Sequence, residues 1–307
     1  MRWENLPGSD NVEDRRGQSG RGGFGLPMGR RGGLGIGTIV VLGLIGWALG
    51  IDPRLLIGGA EVLTGGQQQQ TQPYDRSGGA TKTGQPDDQM GKFVAGVLGS
   101  ADVQWKDIFA KAGQRYRGPT LVLYDGITNQ ACGVAAQSAM GPFYCPADKK
   151  VYLDTSFFRD IEQRFRGCQV GSPSCKFAQA YVVAHEVGHH VQNELGILKK
   201  VQDQQRRVSR ADANHLQVMV ELQADCLAGV WAHGADERWK IIEPGDVEAA
   251  MQTAAAIGDD RLQKRSRGYV VPDSFTHGSS DQRQRWFMTG LKSGSIAACN
   301  TFRAANL

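Results

Sequence analysis

The chain has 307 residues, 21% of them charged, and a formal net charge of +4. This length is enough for one or two domains. The small positive charge, part of which comes from the N-terminal stretch, gives nucleic-acid binding little support, so we expect no nucleic-acid partner.

Residues 1–31 are polar, rich in Gly and Arg, and contain almost no large apolar side chains. A segment of this composition cannot pack a core of its own. We therefore predict a disordered tail that lies in the cytoplasm. The alternative is a basic tail that contacts anionic lipid or RNA.

The next twenty residues, Gly32 to Ile51, carry no charge. As a helix they would span about 30 Å, the thickness of a bilayer core. We predict a transmembrane helix over residues 32–52. A cleaved signal peptide is the alternative, but the long leading region and the long apolar run favour an uncleaved anchor.

Charge sets the predicted orientation of this span. Five arginines lie between Arg15 and Arg31, whereas Arg54 stands alone just after the span. By the positive-inside rule, the N-terminus stays in the cytoplasm and the rest of the chain lies on the other side of the membrane. Residues 53–90 hold Gly-rich and Gln-rich runs typical of a flexible linker. A tethered soluble domain would then occupy residues 91–307.

The first half of this domain combines helix and strand patterns. Apolar spacing predicts helices over residues 93–98 and 103–109, and a strand over Pro119–Tyr124. Two further short strands are expected near Phe143–Tyr144 and Val151–Asp154. With the helices of the second half, this mixture predicts an α+β fold with a small sheet.

All six cysteines follow the predicted span. An even number on the exported side predicts disulfides, of which fifteen pairings are possible. Short loops favour Cys132–Cys145 and Cys168–Cys175, which leaves Cys226–Cys299 as the third pair. A second metal site is the alternative, but the chain has no CxxC pair.

The apolar spacing around Ala180–Asn193 predicts a buried helix that carries His185, Glu186 and His189. Four residues apart, the two histidines project from one face about 5–6 Å apart, which suits one zinc ion with Glu186 beside it. The alternative is a pair of ordinary histidines. A third ligand decides between these interpretations, because a catalytic zinc needs three protein ligands.

A second helix, predicted over residues 214–232, carries Glu221 and Asp225 on one face, one turn apart. Gln192 and Leu195 stand where a metzincin would have Gly and His, which excludes that version of the motif. Glu221 would complete a His2Glu site for one zinc ion per chain, and Asp225 would take the ring N–H of a ligand histidine. A solvated carboxylate pair is the alternative, but the helix is largely apolar, and buried carboxylates need a cation.

These motifs resemble a known family, the putative neutral zinc metallopeptidases of bacteria. The resemblance is carried by the runs His185–Gln192, Glu221–Cys226, Phe275–Arg283, Met1–Trp3, Asn11–Gly17, Gly141–Pro146 and Val151–Asp154. It covers nearly the whole chain apart from the Gln-rich stretch. It implies a zincin-like peptidase domain at the bacterial inner membrane that acts on a peptide or protein substrate, and it does not indicate which substrate.

The segment Thr276–Arg283 is similar to one that several membrane-linked zinc peptidases place after their third ligand. That similarity implies that His277 donates to the oxyanion of the tetrahedral intermediate. Arg283 would hold the loop of His277, a carboxylate ligand or the substrate backbone. A helix start at Ser279 or Ser280 is the alternative, and both interpretations can hold together.

Zinc peptidases commonly place a strand at a sheet edge, ahead of the active-site helix, where it pairs with the substrate backbone. Residues 141–154 are the candidate for this region, and an ordinary structural hairpin is equally consistent with them. Tyr152 and Arg283 are the candidate contacts of substrate or transition state.

The predicted chemistry is metal-assisted hydrolysis of peptide bonds, with zinc held by His185, His189 and Glu221. Glu186 would take a proton from water and pass it to the leaving amine. The alternative function is a membrane-tethered binding or scaffold protein with a structural zinc site. A structural site has no use for Glu186 and is usually closed by four protein ligands. The oligomeric state does not follow from the sequence.

Overall fold

The computed structural model describes residues 1–17, 81–133, 136–137, 141–163, 166, 168–169, 172–304 and 307. Residues 1–17 and those from 81 onward belong to one folded unit. The predicted span over residues 32–52 and residues 53–80 of the predicted linker lie outside the described residues. Among the helices of the described residues, none combines the length and the apolar character that a bilayer crossing requires.

Seven strands and eight α-helices are present in the described residues. The strands are β1 (Val12–Asp14), β2 (Lys82–Thr83), β3 (Thr120–Tyr124), β4 (Ile127–Thr128), β5 (Ala136–Gln137), β6 (Phe143–Cys145) and β7 (Lys150–Asp154). The helices are α1 (Gln89–Lys111), α2 (Phe157–Gln163), α3 (Cys175–Glu194), α4 (Ile197–Gln205), α5 (Arg210–Trp239), α6 (Asp246–Ala256), α7 (Asp259–Arg267) and α8 (Ser280–Ser293). This mixture confirms the predicted α+β fold, and the two short helices predicted first are parts of α1.

The main sheet has the strand order β2, β1, β3, β7, β6. Its three inner strands run parallel, with β1 beside β3 and β3 beside β7. The two edge strands, β2 and β6, each pair antiparallel with their neighbour. β4 and β5 form a separate antiparallel pair. The predicted hairpin of residues 141–154 is therefore β6 and β7, with β6 at the edge of the sheet.

Side chains alternate between the two faces of the sheet, as they do along any strand. On one face, four side chains pack with the helices in the large hydrophobic core: Leu121, Leu123, Val151 and Leu153. On the opposite face, three side chains form a small cluster with Cys145: Val122, Tyr124 and Tyr152. The helices that carry the predicted site thus pack on one face of the sheet only.

Residues 1–17 are part of the fold, so the prediction of a disordered tail is wrong for them. β1 lies inside the main sheet, between β2 and β3. The ring of Trp3 packs edge-on against Phe93 of α1, with 5.7 Å between centroids, and the Met1 amino group lies 3.0 Å from the Asp246 carboxylate. The few apolar side chains of this segment join a core that the rest of the chain supplies. An average composition over residues 1–31 cannot reveal such docking.

Close helix packing brings the second half of the chain together. A Cβ at Gly188 of α3 would lie 3.0 Å from the backbone oxygen of Ala224 on α5, so the glycine permits this approach. α8 packs on the other side of α5 in the same way, because a Cβ at Gly290 would overlap the backbone oxygen of Cys226. Ser279 caps α8 in a capping box, which confirms the predicted helix start.

The three predicted disulfides are confirmed: Cys132–Cys145, Cys168–Cys175 and Cys226–Cys299. The last one links α5 to the C-terminal segment across 73 positions of sequence. Each such bond contributes about 2–4 kcal/mol, chiefly by restricting the unfolded chain.

Candidate metal centre

Helices α3 and α5 bring the three predicted ligands together. His185 and His189 come from successive turns of α3, and Glu221 comes from α5. The Nε2 atoms of His185 and His189 lie 3.2 Å and 3.5 Å from Oε2 of Glu221. All three ligand atoms lie within 4.8 Å of one another, so one metal ion can reach them all.

This donor set fits zinc. Two imidazole nitrogens and one carboxylate oxygen are the ligands of a catalytic zinc that keeps its fourth position open. Each histidine is left with Nε2 for the metal, because Nδ1 has another partner: Asp225 lies 2.8 Å from Nδ1 of His185, and Gln192 lies 2.9 Å from Nδ1 of His189. Such outer contacts fix the tautomer and orientation of a ligand ring. The sequence pointed to Asp225 for this role and missed Gln192.

Gln192 connects the site to the C-terminal segment. Its Nε2 donates to the Val220 carbonyl at 2.8 Å and to Oε1 of Gln223 at 3.0 Å. Gln223 in turn donates to the carbonyl of Cys299 at 2.9 Å. A chain of hydrogen bonds therefore runs from His189 to a disulfide-bonded residue. The spacing of three residues between His189 and Gln192 on a helix was the signal available in the sequence.

Asp225 is the best-connected carboxylate of the site. Arg283 binds it with two parallel bonds, Nε to Oδ2 and Nη2 to Oδ1, each 2.9 Å long. The hydroxyl of Tyr181 donates to Oδ1 at 2.6 Å. Arg283 is only 3% exposed and is thus held against Asp225. The sequence suggested that Arg283 holds the loop of His277, a carboxylate ligand or the substrate backbone. The contact with Asp225 is none of these, because Asp225 binds the ring of His185 and is not a candidate metal ligand.

The charged groups around the site favour the binding of a cation. Burial lowers the pKa of His185, yet Asp225 and Glu221 outweigh burial and raise that pKa to about 10. Burial raises the pKa of Asp225, yet Arg283 and His185 bring it down to about 2. The pKa of Glu221 is held well below its usual range against burial, mainly by His189 and His185. Both carboxylates therefore stay ionised at neutral pH.

Glu186 follows His185 on α3 and is buried. Burial raises the pKa of its carboxyl group, and this effect exceeds the opposing effect of the two neighbouring histidines. A carboxylate with a raised pKa takes up a proton more readily than an ordinary one. This is the property that a general base requires.

His277 lies in the loop before α8, and its side chain is 51% exposed. Its Nδ1 lies 3.3 Å from Oδ1 of Asp259, and the backbone N–H groups of Thr276 and His277 both donate to Oδ2 at 2.6 Å. Partial burial lowers the pKa of His277, but Asp259 and Glu221 raise it above its ordinary value. Asp259 was missed because it begins another helix, 18 positions earlier in the chain.

Tyr152 lies apart from this site. It belongs to the small cluster on the opposite face of the sheet, where its hydroxyl donates to Asp148 at 2.7 Å and its ring stacks on Phe143. The alternation of side chains along β7 turns it away from the helices. This position removes Tyr152 from the candidate contacts of the site. His190 is buried between the hydroxyl of Tyr144 and the carbonyl of Arg117.

A cavity of about 400 Å³ lies between α5, α8 and the loop before α8. Its lining includes Val218, which precedes Glu221 by one turn of α5, and Phe275 and Ser279, which flank His277 in sequence. Arg285 of α8 adds a positive charge to its wall, and Asp273 and Asp281 add two negative ones. None of the three candidate ligands lines this cavity, which is large enough to take a side chain of a bound molecule.

Comparisons with known proteins point to the same chemistry. The family model described as "Putative neutral zinc metallopeptidase" matches residues 1–302. The uncharacterized protein YpfJ of Escherichia coli K12 is 46% identical over 307 residues, which cover 98% of this chain and 99% of that protein. The uncharacterized protein Rv2575 of Mycobacterium tuberculosis H37Rv is 41% identical over 223 residues, which cover 70% of this chain and 71% of that protein. No solved structure matches the chain.

Proposed function

The chain belongs to the family described as "Putative neutral zinc metallopeptidase", and on this premise we propose that it is a zinc-dependent peptidase that cleaves peptide bonds with Glu186 as the general base. The observation that carries the proposal is the convergence of His185, His189 and Glu221 within 4.8 Å, with Glu186 buried next to a ligand. One zinc ion per chain is the expected content. The substrate is a peptide or protein.

A bound zinc ion would supply a Lewis acid that activates water and polarises the scissile carbonyl group. Glu186 accepts the proton that the attacking water loses and later gives it to the leaving amine. Asp225 and Gln192 keep the two imidazole rings in the orientation that binding requires. Arg283 balances the charge of Asp225, so this carboxylate remains an acceptor for His185.

His277 is the proposed donor to the oxyanion that forms on the substrate. Its Nδ1 is engaged by Asp259, so Nε2 is the atom left for the substrate. Asp259 also fixes the backbone of the loop, which limits where the ring can lie. Asp259 is in this sense a positioning residue. A lost oxyanion donor typically lowers the rate by about 10²–10³.

The substrate backbone is proposed to pair with the edge strand β6. β6 pairs with β7 on one side, and its Tyr144 hydroxyl contacts His190 and Asn193 of α3, the helix that carries the metal ligands. An extended peptide could therefore add to the sheet close to that helix. The cavity beside His277 would take one of its side chains.

We place the enzyme outside the cytoplasm, at the bacterial cell membrane, as part of this proposal. All six cysteines of the sequence are paired in three disulfides, which persist in oxidising compartments. Residues 32–52 would attach the chain to the membrane without placing β1 and β3 on opposite sides of it.

The second candidate function is a binding or scaffold protein with a purely structural zinc site. A structural zinc is usually enclosed by four protein ligands, whereas three candidate ligands converge here among the described residues. A buried acid with a raised pKa next to the ligands also has no purpose in a structural site. Both observations favour the peptidase.

The deciding experiment compares Glu186→Gln with the wild-type full chain for zinc content and for hydrolysis of labelled casein and a quenched-fluorescent peptide library. We expect one zinc per chain in both proteins and cleavage by the wild type alone. Glu237→Gln on the exposed side of α5 is the matched control and should retain both properties. Cleavage that survives in Glu186→Gln would remove Glu186 from the mechanism. A wild-type chain that binds zinc but cleaves nothing would favour the scaffold.

A further inference from the structure

Two neighbouring segments carry most of the exposed large apolar side chains. Among the described residues five such side chains are exposed: Ile127, Val208, Tyr269, Val270 and Val271. Val208 immediately precedes the start of α5, and the last three are consecutive in the loop that follows α7. Tyr269 has 62% of its surface exposed to solvent. Consecutive exposed apolar residues of this kind mark an interaction surface more often than isolated ones do.

Hydrogen bonds hold this exposed loop in place. The side chain of Gln263 accepts the backbone N–H of Val271 at 2.8 Å and donates to the Ser274 hydroxyl at 2.9 Å. Asn214 of α5 donates to the carbonyl of Asp273 at 3.0 Å and so joins the loop to the helix that Val208 precedes. The apolar side chains are therefore presented on a fixed backbone.

Basic residues surround the apolar ones on both segments. The exposed cations of these segments are Arg206, Arg207, Arg210, Arg261, Lys264, Arg265 and Arg267. The two acids at the start of α7 are bound to other groups, because Asp259 accepts hydrogen bonds from the His277 loop and Asp260 accepts them from Ser280. Asp203, which pairs with Arg206, and Asp212 and Asp273 are the acids that remain on this side. The outward charge of the two segments is thus strongly positive.

We propose that Val208 and Tyr269–Val271, with the cations around them, form a docking surface for an anionic lipid bilayer. Tyrosine is favoured at the membrane interface, and short apolar side chains can enter the boundary between headgroups and acyl chains. Each Lys or Arg near an anionic surface contributes about 1 kcal/mol. A protein partner is the other occupant that the test distinguishes.

The docking surface lies next to the cavity that borders the loop of His277. Pro272 and Asp273, which follow Val271 directly, line the cavity of about 400 Å³ beside Phe275 and the loop of His277. Contact with a bilayer therefore brings the mouth of this cavity close to the lipid headgroups. The docking surface itself does not depend on the peptidase function. If both are right, the substrate is a polypeptide near the membrane surface.

The test places an environment-sensitive fluorophore on Val270→Cys in the full chain, reconstituted with neutral or phosphatidylglycerol-containing vesicles. The six native cysteines are paired, so the new thiol is the reactive one. We expect a blue shift and a rise in emission with anionic vesicles, and quenching by a lipid-attached quencher. Ile127→Cys is the control, since Ile127 is more exposed than Val270 (63% against 39%) but lies on β4. A label at position 127 should show neither the emission change nor the quenching, even if another part of the chain contacts lipid.

Variants of the labelled protein then distinguish the contribution of charge to lipid binding from that of apolar contact. Arg261→Gln together with Lys264→Gln should weaken the anionic-vesicle response about fivefold for each charge removed. Tyr269→Ser should reduce quenching while the salt dependence remains. Near-ultraviolet circular dichroism and zinc content confirm that each variant is folded. A label at 270 that does not respond to anionic vesicles, that responds no more than the label at 127, or that responds only to an added protein overturns the proposal.

Discussion

Asp225 shows how much of the site depends on one side chain. It accepts hydrogen bonds from Arg283 and Tyr181 while it holds Nδ1 of His185. Replacing it with Asn leaves the buried Arg283 without a counter-charge, and breaking such a pair typically costs about 3–5 kcal/mol. The ligand histidine also loses the partner that sets its tautomer.

We predict that Asp225→Asn lowers the zinc affinity by about 10–100-fold, the usual effect of losing an outer-shell partner. Competition with a chromogenic chelator measures this affinity directly. Tyr181→Phe is the matched control, because it removes one hydrogen bond to Asp225 and leaves the charge pair intact. We expect its zinc affinity to change much less. Equal losses in both variants would mean that packing, and not the carboxylate charge, supports the ligand.

Asp259 leads to a prediction about pH. It raises the pKa of His277 above the ordinary value, so Asp259→Asn should lower that pKa. A histidine that donates a proton to the oxyanion works in its protonated form, which is lost when the pH rises above its pKa. We therefore expect the alkaline limb of the rate profile of Asp259→Asn to move to lower pH. The maximal kcat should fall while KM changes little.

The control for this prediction is zinc content, which should stay at the wild-type level because Asp259 contacts His277 and no metal ligand. Asp259→Glu should restore part of the alkaline limb if the carboxylate charge matters. A variant that loses activity at every pH by the same factor would instead indicate a general disturbance of the loop.

At the level of the elements, glycine spacing governs how α8 packs on α5. A Cβ at Gly290 would overlap the backbone oxygen of Cys226, and backbone atoms of a buried helix cannot move aside cheaply. Helix propensity alone would make Gly to Ala favourable by about 1 kcal/mol. The overlap should outweigh this gain, because overpacking a well-packed core costs about 1–3 kcal/mol.

We therefore predict that Gly290→Ala lowers the free energy of unfolding by up to about 2 kcal/mol. Chemical denaturation followed by circular dichroism measures the change. Lys292→Ala, an exposed substitution on the same helix, is the matched control and should have little effect. Because α8 carries Arg283, zinc affinity should fall in Gly290→Ala as well. A more stable Gly290→Ala would show that the two helices separate without cost.

Sequence patterns predicted most of these elements and the ligands on α3 and α5, because both depend on periodic spacing within one helix. Contacts between segments that are distant in the chain leave no periodic pattern in the sequence. Asp259 holds His277 only because α7 folds back against the loop before α8, and Gln223 contacts Gln192 only because α5 crosses α3. Tyr152 was named as a candidate contact without a face, because sequence alone does not say which face of β7 the helices cover.

At the scale of the whole molecule, the main sheet constrains how the chain relates to a membrane. β1 is hydrogen-bonded between β2 and β3, so residues 1–17 belong to the same folded unit as the metal centre. The chain leaves the sheet after Asp14 and returns at Lys82, its direct partner across the β1–β2 pair. A single crossing by residues 32–52 would put β1 and β3 on opposite sides of the bilayer. The predicted cytoplasmic N-terminus and an external domain are therefore incompatible with this sheet.

We predict that the N-terminal segment and the metal centre face the same compartment. The test labels Glu4→Cys and Lys199→Cys, both exposed, with a membrane-impermeant maleimide in spheroplasts of an expressing bacterium. Because three disulfides favour an oxidising compartment, both thiols should react before lysis and to the same extent. Labelling of Lys199→Cys before lysis and of Glu4→Cys only after it would restore the single-pass orientation. In that case β1 could not pair with β3 in the membrane-bound protein, and the sheet would have to form without its N-terminal strand.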